Sequence, residues 1–430
     1  MKAFALNLES IFRLSWRIAI VIIILLATQV RSEYISSEPI EKVRAFTRWD
    51  EFDYVTWTIE ALWQKQLQSS LGVQSRLDAQ QQRQIVFDYI RLVSELEQVQ
   101  GQIAEIFADP GVTNPESTAV ELLRLQKDLE TQIHIQGGLA EAAIQAQISE
   151  VVGRMGLGFA GQPVPPVLYH VTPLPMALIV SPREVIRQDA DISLQPDLSL
   201  DLITALEEKV ASGLNVSALV VPIGGVGVYP TMVKSSTNLA WMIETAAHEW
   251  AHNYLTLHPL GVLYFSTPEL RTINETTASI AGKEIGREVL ARYYPEFVSQ
   301  RPVEDFFTFL GPELPASAGG EVTFDFREEM HETRVTADAL LAEGKIEDAE
   351  AYMEQRRQVF WDNGYRIRRI NQAYFAFYGA YAESPRGAAG DDPVGAAVRD
   401  FRAGSLTLEA FLERIAWVTS YDALQRLVAP

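Results

Sequence analysis

Apolar residues recur at steps of three and four through most of the chain, and one central stretch breaks the rhythm. Phe46, Trp49, Phe52, Val55, Ile59 and Leu62 predict an amphipathic helix within residues 33–75. From Gln81 the positions Ile85, Tyr89, Leu92, Leu96, Val99, Ile103 and Ile106 alternate steps of four and three, which is the seam of a coiled coil. Asp109-Pro110-Gly111 through Asn114-Pro115 interrupts it; Leu122, Leu125, Leu129 and Ile133, then Ile144 and Ile148, restore it. An antiparallel helical hairpin is the simplest arrangement. Gly156-Leu-Gly158 and Pro163-Val-Pro-Pro166 then change the character of the chain: the short apolar runs Val167–Val171, Met176–Val180 and Ala218–Val221 predict a small sheet, with a helix near Leu200–Ala211. Past Pro302 helical periodicity returns over Phe326–Glu343, Lys345–Asn363 and Tyr365–Tyr381, and a Gly/Pro/Asp loop at Ser384–Pro393 precedes a last helical pair ending by Leu427. The expected class is α+β, predominantly helical. Its expected parts are a helical region over 33–160, a core of sheet and helices over 161–300 and a helical C-terminal domain over 301–430 that completes a cleft.

The first 32 residues follow another logic. Lys2, Arg13 and Arg17 precede the apolar run from Ile18 to Val30, and Arg31 follows it. The run is short for a bilayer span, but no small-x-small cleavage site follows and Leu14 and Trp16 extend it upstream. An uncleaved membrane anchor is expected, with a removed signal peptide and a secreted product as the alternative. Basic residues before the run keep the N-terminus cytoplasmic, which makes this a single-pass protein of the cytoplasmic membrane with the remaining chain outside.

Composition narrows the chemistry. A formal net charge of −20 without a dense Lys/Arg cluster argues against a nucleic-acid partner. The absence of cysteine excludes disulfides, thiolate metal sites and a cysteine nucleophile, so any metal must rely on His and carboxylate.

Only six histidines are present, and two of them frame a glutamate in Glu244-Thr-Ala-Ala-His248-Glu249-Trp-Ala-His252-Asn-Tyr-Leu255. On a helix, positions i and i+4 share a face one turn apart, so both imidazoles reach one Zn²⁺ ion, and Glu249 stands beside them to act on a water. Ser236 or Thr237 can cap this helix, which must stop by Pro259. Trp241, Thr245, His248, His252 and Leu255 form the stripe expected to face a cleft. Upstream, Ile223-Gly224-Gly225-Val-Gly227-Val-Tyr229-Pro230 fails as a dinucleotide fingerprint because strand-like residues follow where a helix should open. Its glycines fit a place where another backbone approaches closely, either an extended substrate on an edge strand or an ordinary glycine turn.

A catalytic zinc takes three protein ligands and leaves one position open. His258 stands at the offset of a third histidine, but Leu255 occupies the place where a glycine would have to turn the chain back. Glu275 is the stronger candidate. Asn274 can cap a second helix in which Ala278, Ser279, Gly282 and Gly286 form a small-residue face, letting it pack close to the first; Glu284 and Glu288 read as solvated. His248-Glu-Trp-Ala-His252 followed 23 positions later by Glu275, in Asn274-Glu275-x-x-Ala278, resembles the gluzincin clan of zinc peptidases. The resemblance covers about residues 218–290, and the Glu275 spacing is slightly longer than in the best-known members. It implies a zincin-like core, one Zn²⁺ on His248, His252 and Glu275, Glu249 as general base and the Gly224–Val233 strand as the substrate edge.

In the last third, Tyr365 through Tyr381 carries an aromatic stripe that reads as core, with the alternative that a tyrosine supports an oxyanion. Glu332-Thr-Arg334, Ile370-Asn371-Gln-Ala and Tyr381 are also similar to an uncharacterised bacterial aminopeptidase-like family, which favours Tyr381 over Tyr374 and Tyr378. His331 is a candidate proton donor, His134 an exposed helix residue, and Glu244 either a group closing the cleft or helix surface. The expected activity is zinc-dependent hydrolysis of a peptide or protein substrate, possessing either exo- or endopeptidase mode. A non-catalytic zinc-binding scaffold attached to the membrane is the other reading.

Overall fold

The structure is a computed structural model, and it describes residues 38–70, 77–108, 111–298, 324–382 and 387–428. The chain opens with α1 (Glu38–Thr47) and α2 (Tyr54–Ser70). The single helix expected over this region is therefore two. Phe52 donates its backbone N–H to the Ser193 carbonyl and Glu51 bridges to Leu194, so a sheet edge takes the backbone between the helices, and Trp49 is left in solvent. The hairpin follows as expected: α3 (Ala79–Ala108), a short α4 (Pro115–Thr118) capped by Asn114, and α5 (Val120–Arg154). Leu92, Val99 and Leu129 are buried along the seam between its two arms.

Residues after the hairpin form two small sheets and a minor ribbon, β1 (Gly158–Phe159) with β2 (Gln162–Pro163). In the first sheet β4 (Met176–Pro182) lies between β5 (Ala190–Leu194) and β6 (Val216–Pro222), antiparallel to both. Alternation along β4 and β6 divides their side chains: Leu178, Val180, Ala218 and Val220 pack under α1 and α6 (Leu200–Leu214), while Ala177, Ile179, Leu219 and Val221 pack against the C-terminal aromatics. Burial on both faces explains why these strands read as unbroken apolar runs. In the second sheet β8 (Thr231–Val233) pairs in parallel with β3 (Tyr169–Val171) and antiparallel with β7 (Gly225–Val226), which forms the edge.

Two long helices carry the central motif: α7 (Leu239–Thr256) and, after the short α8 (Pro259–Val262), α9 (Pro268–Tyr293), with α10 (Pro295–Val298) behind it. The C-terminal part comprises α11 (Phe326–Ala342), α12 (Ile346–Asp362), α13 (Gln372–Tyr378), α14 (Pro393–Ala403), α15 (Leu408–Ile415) and α16 (Tyr421–Val428). The helix expected over Tyr365–Tyr381 shrinks to α13. Asn371 caps it through Tyr374 N, and Arg368 ahead of it is spent on buried Glu207 and the Val220 carbonyl. One continuous core joins Tyr89 and Ile144 of the hairpin, Trp250 of α7, Ile285 of α9 and Phe401 and Phe411 near the C-terminus. The molecule is thus predominantly helical with small sheets.

The single-pass membrane placement requires correction: among the described residues no helix is long and apolar enough to cross a membrane. The anchor or signal segment assigned to residues 1–32 lies outside the described residues.

Candidate metal centre

Helix α7 is capped by Asn238, whose side chain accepts from Trp241 N at 3.0 Å; Ser236 instead accepts from Asn238 N and Thr237 caps nothing. The helix is buried on nearly every side, so the stripe expected to face a cleft is divided, Trp241 and Leu255 going to the core and His248 and His252 to the site. Helix α9 starts six residues before Asn274, because Thr267 caps Leu270 N and Pro268 occupies the first turn, where its missing N–H costs nothing. Asn274 is therefore free for another task inside the helix.

Small residues set the distance between the two helices. A methyl group on Gly282 would stand 2.9 Å from both the Glu244 carbonyl and His248 Cβ, and one on Gly286 would stand 2.6 Å from Glu244 Cγ. This close approach brings Glu275 to the histidines. His248 Nε2 and His252 Nε2 are 3.0 Å apart, and Glu275 Oε2 lies 3.6 Å from the first and 3.3 Å from the second. Donors about 2.0–2.1 Å from a tetrahedral zinc are about 3.3 Å from one another, so the three atoms already outline one face of such a site. His252 Nδ1 is 2.7 Å from Asn274 Oδ1, an acceptor that holds the ring proton on Nδ1 and leaves the Nε2 lone pair facing His248. Ser279 Oγ stands 3.4 Å from His248 Nδ1. Two imidazole nitrogens and a carboxylate oxygen converge on one point, an arrangement that a cation would satisfy. The residues present fit a divalent metal.

Glu249 completes a buried His248, Glu249, His252 group. Strand β7 lies against it: a Cβ on Gly225 would meet Glu249 Oε1 at 2.5 Å and one on Gly227 would meet His252 Cβ at 2.9 Å. The close approach expected at these glycines is thus made by the metal helix. Gly224 accepts from Lys234 N, and Tyr229 is buried with its hydroxyl donating to the Pro166 carbonyl. Tyr381 is brought to the site, its ring stacked at 6.3 Å on His248.

Charge is distributed unevenly here. Burial, with the Glu275 carboxylate, pushes Glu249 up to about 8 against the opposing pull of His252. Burial also drives His248 down to about 4. At Glu275 burial acts upward, but both histidines outweigh it and hold the carboxyl well below its ordinary range. Burial and the nearby carboxylates raise the Tyr381 phenol far above its usual value, so it stays a proton donor.

Several candidates sit elsewhere. His258 stands at the N-cap position of α8 without a side-chain capping bond, its Nδ1 2.9 Å from the Tyr254 carbonyl and its ring against Trp417. Glu284, expected in solvent, makes a two-pronged pair with Arg402 at 2.7 and 2.8 Å; Glu288 is exposed. Glu244 is buried beneath Gly286 and closes no cleft. His331 pairs with Asp391, His134 is exposed, and Tyr374 and Tyr378 are core residues. Two neighbours escaped sequence reasoning. Tyr264 donates to Glu275 Oε1, and Arg271 lies one turn before Glu275 on the same helix. That i, i+4 offset was the signal for Arg271; Tyr264, in a turn between helices, gave none.

Compared with models of known families, with curated proteins and with solved structures, the chain finds no match.

Proposed function

We propose that this protein is a zinc-dependent peptidase with a gluzincin-like His/His/Glu centre. The observation that carries the reading is the triangle of His248 Nε2, His252 Nε2 and Glu275 Oε2, with sides of 3.0, 3.3 and 3.6 Å, beside buried Glu249, which has a carboxylate oxygen within 4.8 Å of the histidine donors. His248, His252 and Glu275 would hold the ion, and bound Zn²⁺ would supply Lewis acidity that acidifies a water and polarises a carbonyl. Beside the charge of a bound cation the Glu249 carboxyl, at about 8 without it, would return to the ionised form, in which it would take the proton of the attacking water and return it to the departing amine. Asn274 keeps His252 in the tautomer that presents Nε2. The Tyr381 hydroxyl donates to the oxyanion of the tetrahedral intermediate, and burial of the corner excludes competing water. The edge strand β7 offers backbone groups to an extended peptide.

The test is metal analysis of the purified chain together with digestion of an unbiased peptide pool. Zinc near one equivalent and products that disappear in Glu249→Gln support the reading. A zinc-loaded protein that cuts no peptide would favour a non-catalytic scaffold, and N-terminal trimming as against internal cuts would separate the exo- and endopeptidase modes.

A further inference from the structure

A cavity of about 290 Å³ opens where the first turn of α9 meets α13 and the β4–β5 connection. Tyr264 links it to the metal corner: the residue that donates to Glu275 also lines this cavity. Arginines 187, 271 and 334 line it against a single acid, Asp392. Two of these cations are already paired. Arg187 meets Asp189 at 2.6 and 3.2 Å, and Arg334 meets Asp338 at 2.6 Å while reaching the Ala388 carbonyl. Asp392 is occupied in capping Val394 N at 2.9 Å.

Arg271 differs. It is 7% exposed and makes one hydrogen bond, from Nη1 to the Ala376 carbonyl at 2.9 Å; its Nε has no partner. Among the described residues no carboxylate stands within ion-pair distance of it, although Glu275 and Asp191 act on it from further away and Phe377 lies 5.9 Å from the guanidinium. A buried guanidinium held by one carbonyl, with no described carboxylate at ion-pair distance, keeps capacity for an anionic ligand. Nη1 is engaged and Nε is enclosed without a partner, so a carboxylate would meet the guanidinium where Arg271 lines the cavity wall. The positive end of α9, where Thr267 caps Leu270 N, adds to the attraction.

We propose that this cavity receives a carboxylate of the substrate, gripped by Arg271 while the adjoining peptide bond lies at the metal corner. The substrate class rests on the peptidase reading; the anion site does not. A free C-terminus and an acidic side chain carry the same group, so the test must tell them apart.

Full-length Glu249→Gln protein, used so that the probes are not cut, is titrated with N-acetyl-Phe-Leu acid, its C-terminal amide and N-acetyl-Phe-Asp amide, with zinc present and after chelation. At least one carboxylate probe should bind about tenfold more tightly than the plain amide, with and without zinc, and whichever gains names the source. Adding Arg271→Gln should bring the probes within twofold of one another. Equal affinities in the parent protein would overturn the proposal, as would a preference that survives Arg271→Gln or one that vanishes on chelation, since the acid would then be binding metal. If Arg271→Gln does not fold, Arg271→Lys, which keeps the charge but loses the guanidinium, should cut the preference severalfold, and the parent comparison still decides. A carboxylate preference without hydrolysis of any peptide by the wild-type protein leaves this site standing and removes the peptidase; hydrolysis without preference does the reverse.

Discussion

Glu249→Gln keeps the volume of the side chain beneath Gly225 and removes only its capacity to accept a proton. Metal content should therefore be unchanged while turnover falls by about 100-fold or more, measured as initial rate on a peptide substrate beside the zinc content of the same preparation. Asn274→Ala acts differently, because Asn274 touches His252, one of the proposed ligands. Freed from the 2.7 Å bond, the His252 ring can shift tautomer, and zinc affinity should drop by about 10- to 100-fold in competition with a chromogenic chelator. At this scale the sequence was readable where chemistry has a fixed spacing. His248, Glu249 and His252 follow from the helical repeat alone, and Glu275 from the small residues that let its helix approach. Asn274 was assigned to a cap because capping residues look alike whether they begin a helix or lie within it. Arg271 was signalled by its i, i+4 offset from Glu275 and passed over, while Tyr264 reaches the site from a turn between helices, which no local pattern records.

Between α7 and α9 the contact is set by absent side chains. Gly282→Val would drive a branched Cβ into the Glu244 carbonyl and His248 Cβ, so the helices must separate and carry Glu275 from the histidines. We expect a loss of about 1–3 kcal/mol in urea unfolding and weakened zinc binding in the same variant. Gly225→Ala should be gentler on the fold and hard on activity, because its methyl would stand 2.5 Å from Glu249 Oε1, the far end of a side chain that can move only by leaving its post. The ratio of activity loss to stability loss in the two variants is the measurement to compare. The elements themselves were legible where periodicity is long, as in α3 and α5. They were misread where tertiary contacts take the backbone: between α1 and α2 by the edge of β5, and ahead of α13 by the pairing of Arg368 with Glu207.

Across the whole molecule, one buried charge cluster ties the N-terminal helices to the second sheet. Lys65 of α2 pairs with Glu141 of α5, which also meets His170 Nδ1 at 3.0 Å and accepts from Val171 N at 2.8 Å. Burial alone would push the Glu141 carboxyl up, but the Lys65 charge and His170 outweigh it and hold it at about 2, against 4.5 for an ordinary glutamate. A carboxyl held below its unfolded value stabilises the fold wherever it is ionised in both states. That contribution is present in full above about pH 4.5 and is lost as pH falls toward 2. Glu141→Gln should thus cost about 3–5 kcal/mol near neutrality, since Lys65 is left buried without its partner, and the gap to wild type in urea melts should narrow below pH 4.5.

The core beneath α7 has a consequence for how such a chain can diverge. Tyr89 and Ile144 of the hairpin and Phe411 near the C-terminus press on the same apolar mass as Trp250, so the metal corner is walled by segments distant in sequence. Substitutions in those walls would be felt at the histidines, whereas Ile186, Gln188 and Ala389 line the Arg271 cavity from segments that carry none of the three donors, unlike Tyr264, whose hydroxyl holds Glu275. Under the peptidase reading, changed substrate preference would therefore accumulate at those cavity positions, while the hairpin, which carries none of the three donors, would change slowly.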